Sequence, residues 1–180
     1  IQFYIAPEAD LRIDDIILYD TAAKDESRPF PRRILFTGWF DTGKHGKEWP
    51  GDFKIVLHEK PRTWDAAQSV LHPEKKLPWL RIHLRGMRAL SQKNELHFEY
   101  RATSDKKATM IVKLANSSTG EEYAVRLRNL NLKDWDEVTI PFTPKNRLHE
   151  VDENHLMLEQ PAKHMVDDML LYEPGKYLIT

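Results

Sequence analysis

One stretch near the middle of the chain decides the fold. It reads Glu95-Leu96-His97-Phe98-Glu99-Tyr100-Arg101-Ala102, in which polar and apolar residues alternate at every step. Successive side chains of a β-strand point to opposite sides, so this alternation predicts a strand with one buried and one solvated face. Half-buried strands of this kind are typical of antiparallel sheets.

The same alternation recurs in three neighbouring stretches. Residues 79–84 precede the first stretch, and residues 110–114 and 123–128 follow it, the last two joined by a hairpin loop at 117–120. A further strand is predicted over residues 135–142, and its proline places it at a sheet edge or at a strand end, since proline lacks the backbone donor. Short strands separated by turn signals predict an all-β protein with an antiparallel β-sandwich.

A repeat marks the two ends of the chain. Ile13-Asp14-Asp15-Ile16-Ile17-Leu18-Tyr19-Asp20 near the start matches Val166-Asp167-Asp168-Met169-Leu170-Leu171-Tyr172-Glu173 near the end. Repeats indicate where one structural unit ends and the next begins. We therefore expect a β-hairpin over residues 1–20, as the tail of a preceding unit, and a linker over 21–33. The main module follows over 34–174, with a C-terminal extension over 175–180.

The charge and composition of the chain limit which kinds of partner it could bind. The chain has 180 residues, with 27 Lys and Arg against 28 Asp and Glu, so its net charge is −1. No global field favours nucleic acid, which we do not expect as a partner. The chain has no cysteine, which excludes disulfides and thiolate nucleophiles. No stretch approaches the roughly 20 apolar residues of a membrane span, and the first residues lack the features of a signal peptide.

Motifs for catalysis are sparse. The sequence contains no Gly-x-Ser-x-Gly elbow, no phosphate-binding glycine loop with its lysine, and no His-Glu-x-x-His pair. His149, Glu150, Asp152 and His155 form a polar cluster, which we expect to be a loop rather than a metal-binding set, because a metal site needs better spacing. The sequence therefore favours a protein that is not an enzyme.

Three motifs in order, over about residues 35–173, resemble carbohydrate-binding modules of the CenC-like, galactose-binding-domain-like group. They are Gly38-Trp39-Phe40-Asp41-Thr42-Gly43, Lys133-Asp134-Trp135-Asp136-Glu137-Val138-Thr139-Ile140-Pro141-Phe142 and Val166-Asp167-Asp168-Met169-Leu170-Leu171. The resemblance implies a β jelly roll and a non-catalytic glycan-binding module of a larger multidomain protein. Its partners would be carbohydrate and the neighbouring domains, and its location secreted, periplasmic or on the cell surface.

The resemblance also implies a structural calcium ion. Family members often hold calcium between the acid of the opening strand and an aspartate of the closing strand, which here are Asp41 with Asp167 or Asp168. Backbone carbonyls and water would complete the oxygen ligands that Ca²⁺ requires. The alternative is that one aspartate accepts hydrogen bonds from a neighbouring loop while the other is solvated.

The outward residues of the alternating strands are the candidate ligand-binding surface. They would lie side by side if their strands are neighbours, and arginine forks suit the carboxylates or sulfates of an acidic glycan while an indole lies against a sugar ring. The candidate residues are Trp79, Arg81, His83, His97, Arg101 and Arg126 of these strands, together with Trp64 of the charged segment that precedes them. Trp49 is a further candidate platform, whereas Trp39 and Trp135 are expected in the core. The alternative is a solvated sheet face whose charges keep it soluble.

Two other functions remain open from the sequence. One is a jelly-roll polysaccharide lyase or hydrolase, in which a cation neutralises a uronate while His83, His97 or a tyrosine moves the proton. The other is a purely structural spacer domain that docks its neighbours.

Overall fold

A computed structural model of the chain describes residues 31–40, 50–57, 65–104, 107–144 and 149–175. These ranges contain no helix, and hence none that could span a membrane. The predicted hairpin over residues 1–20 lies outside the described residues, as do Asp41, Trp49 and Trp64.

The described residues form twelve β-strands. In chain order they are β1 (Pro31–Gly38), β2 (Gly51–Asp52), β3 (Lys54–Leu57), β4 (Asp65–Gln68), β5 (Val70–Leu71), β6 (Pro78–Ala89), β7 (Asn94–Thr103), β8 (Met110–Ala115), β9 (Glu122–Leu127), β10 (Asp136–Phe142), β11 (Glu150–Leu158) and β12 (Lys163–Pro174). They build two antiparallel sheets. Sheet A has the order β10-β7-β12-β4-β3 with β1 also paired to β12, and sheet B has the order β2-β6-β11-β8-β9 with β5 paired to β6.

Strand β12 occupies the middle of sheet A. It pairs with β7 along one side, and with β1 and β4 along the other. Phe36 pairs with Leu171 and Gly38 with Met169, so the opening and closing strands of the module are neighbours. The predicted linker is too long by three residues, because residues 31–33 already belong to β1.

The paired aspartates of the closing strand coincide with a β-bulge. The register between β12 and β7 shifts between Asp167 and Leu170, and Asp168 has φ 47°. Aspartate tolerates this left-handed conformation better than a β-branched residue does. Asp167 is 1% exposed, so this carboxylate lies inside the protein at the bulge.

The core lies between the two sheets and is filled by the alternate apolar residues of the predicted strands. Leu80, Ile82 and Leu84 of β6 pack there together with Leu96 and Phe98 of β7. Each is at most 1% exposed. Burying a side chain of this size contributes about 1.5–3 kcal/mol, so each of these five residues adds substantially to the stability of the fold.

Three predictions about single segments can be checked against this architecture. Strand β10 lies at the edge of sheet A, as its proline predicted. The polar segment at His149–His155 was expected to be a loop, but most of it belongs to β11, in the middle of sheet B. Trp39 and Trp135 were expected in the core, but neither is buried there. Trp39 is 39% exposed and Trp135 is half-buried.

Asn154 explains why β11 did not look like a strand. It points between the sheets, with no exposed surface, although its side chain is polar. Its Nδ2 donates a hydrogen bond to the backbone oxygen of Lys113 at 3.0 Å, which satisfies part of the amide inside the core. A polar residue at an inward position hides the alternation that identifies a strand.

Candidate functional site

The outer face of sheet B, here called the B face, carries the largest set of predicted site residues. Antiparallel pairing puts side chains in rows across the strands. One row joins Asp52, Arg81, His155 and Lys113. The next row joins His83 and Glu153, and a third joins Val70, Trp79, Met157, Ile111 and Arg126.

Glu153 lies at the centre of the B face and is only 7% exposed. Its Oε2 lies 2.8 Å from His155 Nε2, and its Oε1 lies 3.4 Å from His83 Nδ1 and 3.7 Å from Arg81 Nη1. A buried carboxylate requires such partners, because an unpaired buried charge is costly. Glu153 thereby holds the His155 imidazole by a hydrogen bond and lies within ion-pair distance of His83 and Arg81.

Trp79 supports the same group from one side. The Arg81 guanidinium lies 5.6 Å from the centre of the indole, and the His155 ring stands at its edge with a centroid distance of 5.6 Å. The His72 ring lies 4.5 Å away. Trp79 is therefore only 8% exposed. It braces Arg81 and His155 and does not present an open ring to solvent.

His72 is held over Trp79 by its own turn. Its Nδ1 accepts hydrogen bonds from the backbone N–H groups of Glu74 and Lys75, each at 3.2 Å. Burial, followed by the positive charge of Lys75, lowers the pKa of His72 below its ordinary value. A neutral imidazole is the form that can accept at Nδ1, so the lowered pKa and the turn support one another.

The cations of the B face are paired with carboxylates. Arg81 Nη2 lies 2.6 Å from Asp52, and Lys113 Nζ lies 2.6 Å from Glu122. Arg126, near the edge, lies 3.3 Å from Glu159. The surface predicted to be rich in cations is therefore balanced in charge.

The structure divides the predicted ligand-binding residues between two surfaces. Trp79, Arg81 and His83 lie together on the B face, and Arg126 lies at its edge. His97 and Arg101 belong to β7, and their side chains lie on the outer face of sheet A. They do not join the others, because β6 and β7 follow one another in the chain but enter different sheets.

His97 has local partners on sheet A. Its Nδ1 lies 2.9 Å from Thr139 Oγ1 on the neighbouring β10. Burial lowers the pKa of His97, and the carboxylate of Glu137 opposes this effect. A small cleft of about 220 Å³, lined by Glu99, Trp135, Asp136 and Glu137, lies at the same edge.

Sequence reasoning missed Glu153 and His72 and did not place His155 in a binding surface. A signal for the first existed: Glu153, His155 and Met157 recur at every second position, as do Trp79, Arg81 and His83. Matching periods in two strands allow their side chains to pair. His72 lies in a turn, where no periodicity reports its position.

The calcium prediction is not tested by the structure. Among the described residues, no group of three or more histidines and acids is arranged to hold a metal ion. One of the three predicted ligands, Asp41, lies outside those residues, while Asp167 is buried and Asp168 half-buried. The calcium ion stays a prediction.

Comparison with known proteins identifies the architecture. No family model matches the sequence, and no curated protein matches it. Solved structures do. An N-terminal CBM22-1-GH10 xylanase fragment from Clostridium thermocellum, complexed with xylohexaose, matches with a TM-score of 0.55 and 12% identity over 79% of this chain and 29% of that one. The chain has the fold of carbohydrate-binding modules.

Two isolated modules match over nearly their whole length. A family 16 carbohydrate-binding module has a TM-score of 0.50 and 15% identity over 78% of this chain and 99% of its own. A family 29 module complexed with mannohexaose has a TM-score of 0.55 and 8% identity over 80% of this chain and 94% of its own. The predicted jelly-roll sandwich is thus confirmed, while a specific kinship with the CenC-like subgroup stays a prediction.

Proposed function

We propose that this chain is a non-catalytic carbohydrate-binding module and that its B face binds an oligo- or polysaccharide. The observation that carries the proposal is the cluster of planar polar groups, Arg81, His83 and His155, gathered around buried Glu153. Groups already fixed in position lose little freedom when a ligand arrives, which favours binding. Sugar hydroxyls both donate and accept hydrogen bonds, so they match a face that carries both cations and carboxylates.

The charge balance of the B face favours an uncharged glycan. An acidic sugar would have to compete with Asp52, Glu153 and Glu122 for their cations. Taking one member out of a close charge pair leaves the other without its partner. Two of the matched proteins are complexed with neutral oligosaccharides, xylohexaose and mannohexaose. We therefore propose that the ligand of the B face is a neutral polymer of hexose or pentose sugars.

The match to one part of a larger fragment supports the proposal that this chain is a module within a larger protein. The chain spans 29% of the xylanase fragment that it matches, and that fragment also carries a GH10 module. We propose that this chain likewise has neighbouring domains in a secreted, periplasmic or cell-surface protein.

Binding to an array of neutral and acidic glycans, followed by calorimetry, tests the proposal. Arg81→Gln should weaken the binding of a neutral oligosaccharide by about tenfold or more, because it removes a charged donor. Lys133→Gln is the control, since Lys133 is an exposed cation between β9 and β10, outside the strands of sheet B. If no neutral glycan binds, or if both variants bind like the wild type, the B face is a structural surface only.

A further inference from the structure

We propose a second binding site, for the anionic groups of an acidic glycan, in a cleft on the outer face of sheet A. The cleft has a volume of about 950 Å³ and runs from β3 across β4 and β12 to β7. Most of its lining comes from sheet A and the turn before β12, with a wall from Val70 and Leu71 of β5, and it includes none of the residues grouped around Glu153 on the B face. The proposal does not depend on the function assigned to the B face.

A continuous row of paired residues forms the floor of the cleft. Lys54 pairs with Gln68, Gln68 with Met165, and Met165 with Arg101. Neighbouring strands are separated by about 4.8 Å, so the two cationic ends of this row have backbones about 14 Å apart. That span exceeds the width of a single sugar ring and suits an oligomer.

The charge of the cleft has one sign. Lys54, Arg101 and Lys163 line it, and its described lining contains no aspartate or glutamate. Both lysines are exposed, and neither has a carboxylate partner among the described residues. The two lysines differ in this from Arg81, Lys113 and Arg126 of the B face, each of which has a carboxylate partner. A cleft of one charge sign concentrates ligands of the opposite sign.

The rest of the lining favours a glycan over a simple anion. Gln68, Ser69 and Thr103 supply polar groups, and Val70 and Leu71 form an apolar wall. Leu71 is 66% exposed, so its side chain is available to a ligand. A uronate or sulfated sugar combines apolar C–H faces with hydroxyls and anionic groups, which together match this lining.

Calorimetry with three oligosaccharides tests the cleft. The probes are an oligogalacturonate (carboxylate), a sulfated galactan oligosaccharide (sulfate) and the unmodified galactan oligosaccharide (neutral). We expect at least one acidic probe to bind, with an affinity that falls as salt is added. The variant K54Q/K163Q should weaken that binding by about tenfold or more. Loss confined to one probe identifies which anion the cleft binds.

The control K93Q/K133Q removes the same charge from two exposed lysines outside the cleft and should bind like the wild type. Matching thermal melts of both double variants exclude a folding defect. Failure of both acidic probes to bind, equal binding by K54Q/K163Q, or equally lysine-dependent binding of the neutral probe overturns the proposal. Arg81→Gln reports separately on the B face, so either site can fail while the other stands.

Discussion

The carboxylate of Glu153 accepts a hydrogen bond of 2.8 Å from the Nε2 of His155, which lies two residues further along the same strand. The two side chains lie on the same outer face of sheet B, because side chains two apart in a strand point the same way. Glu153 is the more deeply buried partner, with a side chain 9% exposed against 22% for His155. The buried carboxylate of Glu153 thus holds the more exposed imidazole ring of His155 in place.

Replacing Glu153 with glutamine tests this support. Glu153→Gln keeps the shape but removes the charge that faces His155, His83 and Arg81. We expect the free energy of unfolding to fall by about 1–3 kcal/mol, as for other buried hydrogen-bonded charges, and glycan binding to weaken. Urea denaturation and calorimetry measure the two effects. Glu150→Gln, at the exposed start of β11, is the control, and an equal effect of both variants would contradict the role given to Glu153.

His164 predicts a loss of stability in acid. It is fully buried, and desolvation lowers its pKa to about 4; the Leu156 backbone offsets this only in part and makes no hydrogen bond of ordinary geometry with the ring. Because the unfolded chain takes up the proton at higher pH than the folded one, stability is complete above pH 6.5 and falls as the pH drops towards 4. The loss amounts to about 3 kcal/mol.

The variant His164→Phe isolates that contribution. The difference in unfolding free energy between wild type and variant, measured by urea denaturation at several pH values, should change between pH 6.5 and 4 and level off above. A difference that stays constant across this range would show that His164 does not titrate as its burial implies.

Calcium should raise the melting temperature if the ion binds near Asp41 and Asp167 or Asp168. A ligand that binds only the folded state stabilises it by mass action, so a chelator should lower the melting temperature and added calcium should restore it. Asp41→Asn should abolish the response, whereas Asp134→Asn, at an exposed acid, should keep it. A melting temperature indifferent to both calcium and chelator would mean that hydrogen bonds alone hold the aspartates.

Deletion of residues 1–30 should leave a module that melts cooperatively, because β1 begins at Pro31. Deletion of residues 1–38 should unfold it, since Leu35 and Phe36 are 5% and 2% exposed and each contributes about 1.5–3 kcal/mol by burial. Circular dichroism during heating distinguishes the two proteins. If the shorter deletion already abolishes the cooperative transition, residues 1–20 are integral strands and the two-unit interpretation of the repeat is wrong.

The sequence predicted the strands well because their inward residues are apolar. Leu80, Ile82, Leu96 and Phe98 lie in the core as their alternation required. Strand β11 escaped prediction because Asn154 takes an inward position and Glu153 is buried on the outer face. Burial of polar groups depends on partners from other strands, which no local pattern reveals.

The binding surface could be predicted only in part. Alternation separates the two sides of each strand, but it does not say which sheet the strand enters. Arg81 and Arg101 occupy equivalent outward positions in β6 and β7 and lie on opposite faces of the sandwich. Arg81 is neutralised by Asp52 of β2 and Glu153 of β11. These two strands are distant from β6 or from each other in the chain, so no local pattern reveals the pairing.

The central place of β12 in sheet A bears on how the protein is made. Pro31 pairs with Pro174, so the first described strand meets its neighbour only after the last one has been synthesised. At a ribosomal rate of about 5–20 residues per second, the interval between the synthesis of β1 and that of β12 is on the order of ten seconds. During this time its edge is open to other nascent chains. We expect the yield of soluble protein to depend on chaperones that cover nascent strands, and to rise when translation of the final strand is fast.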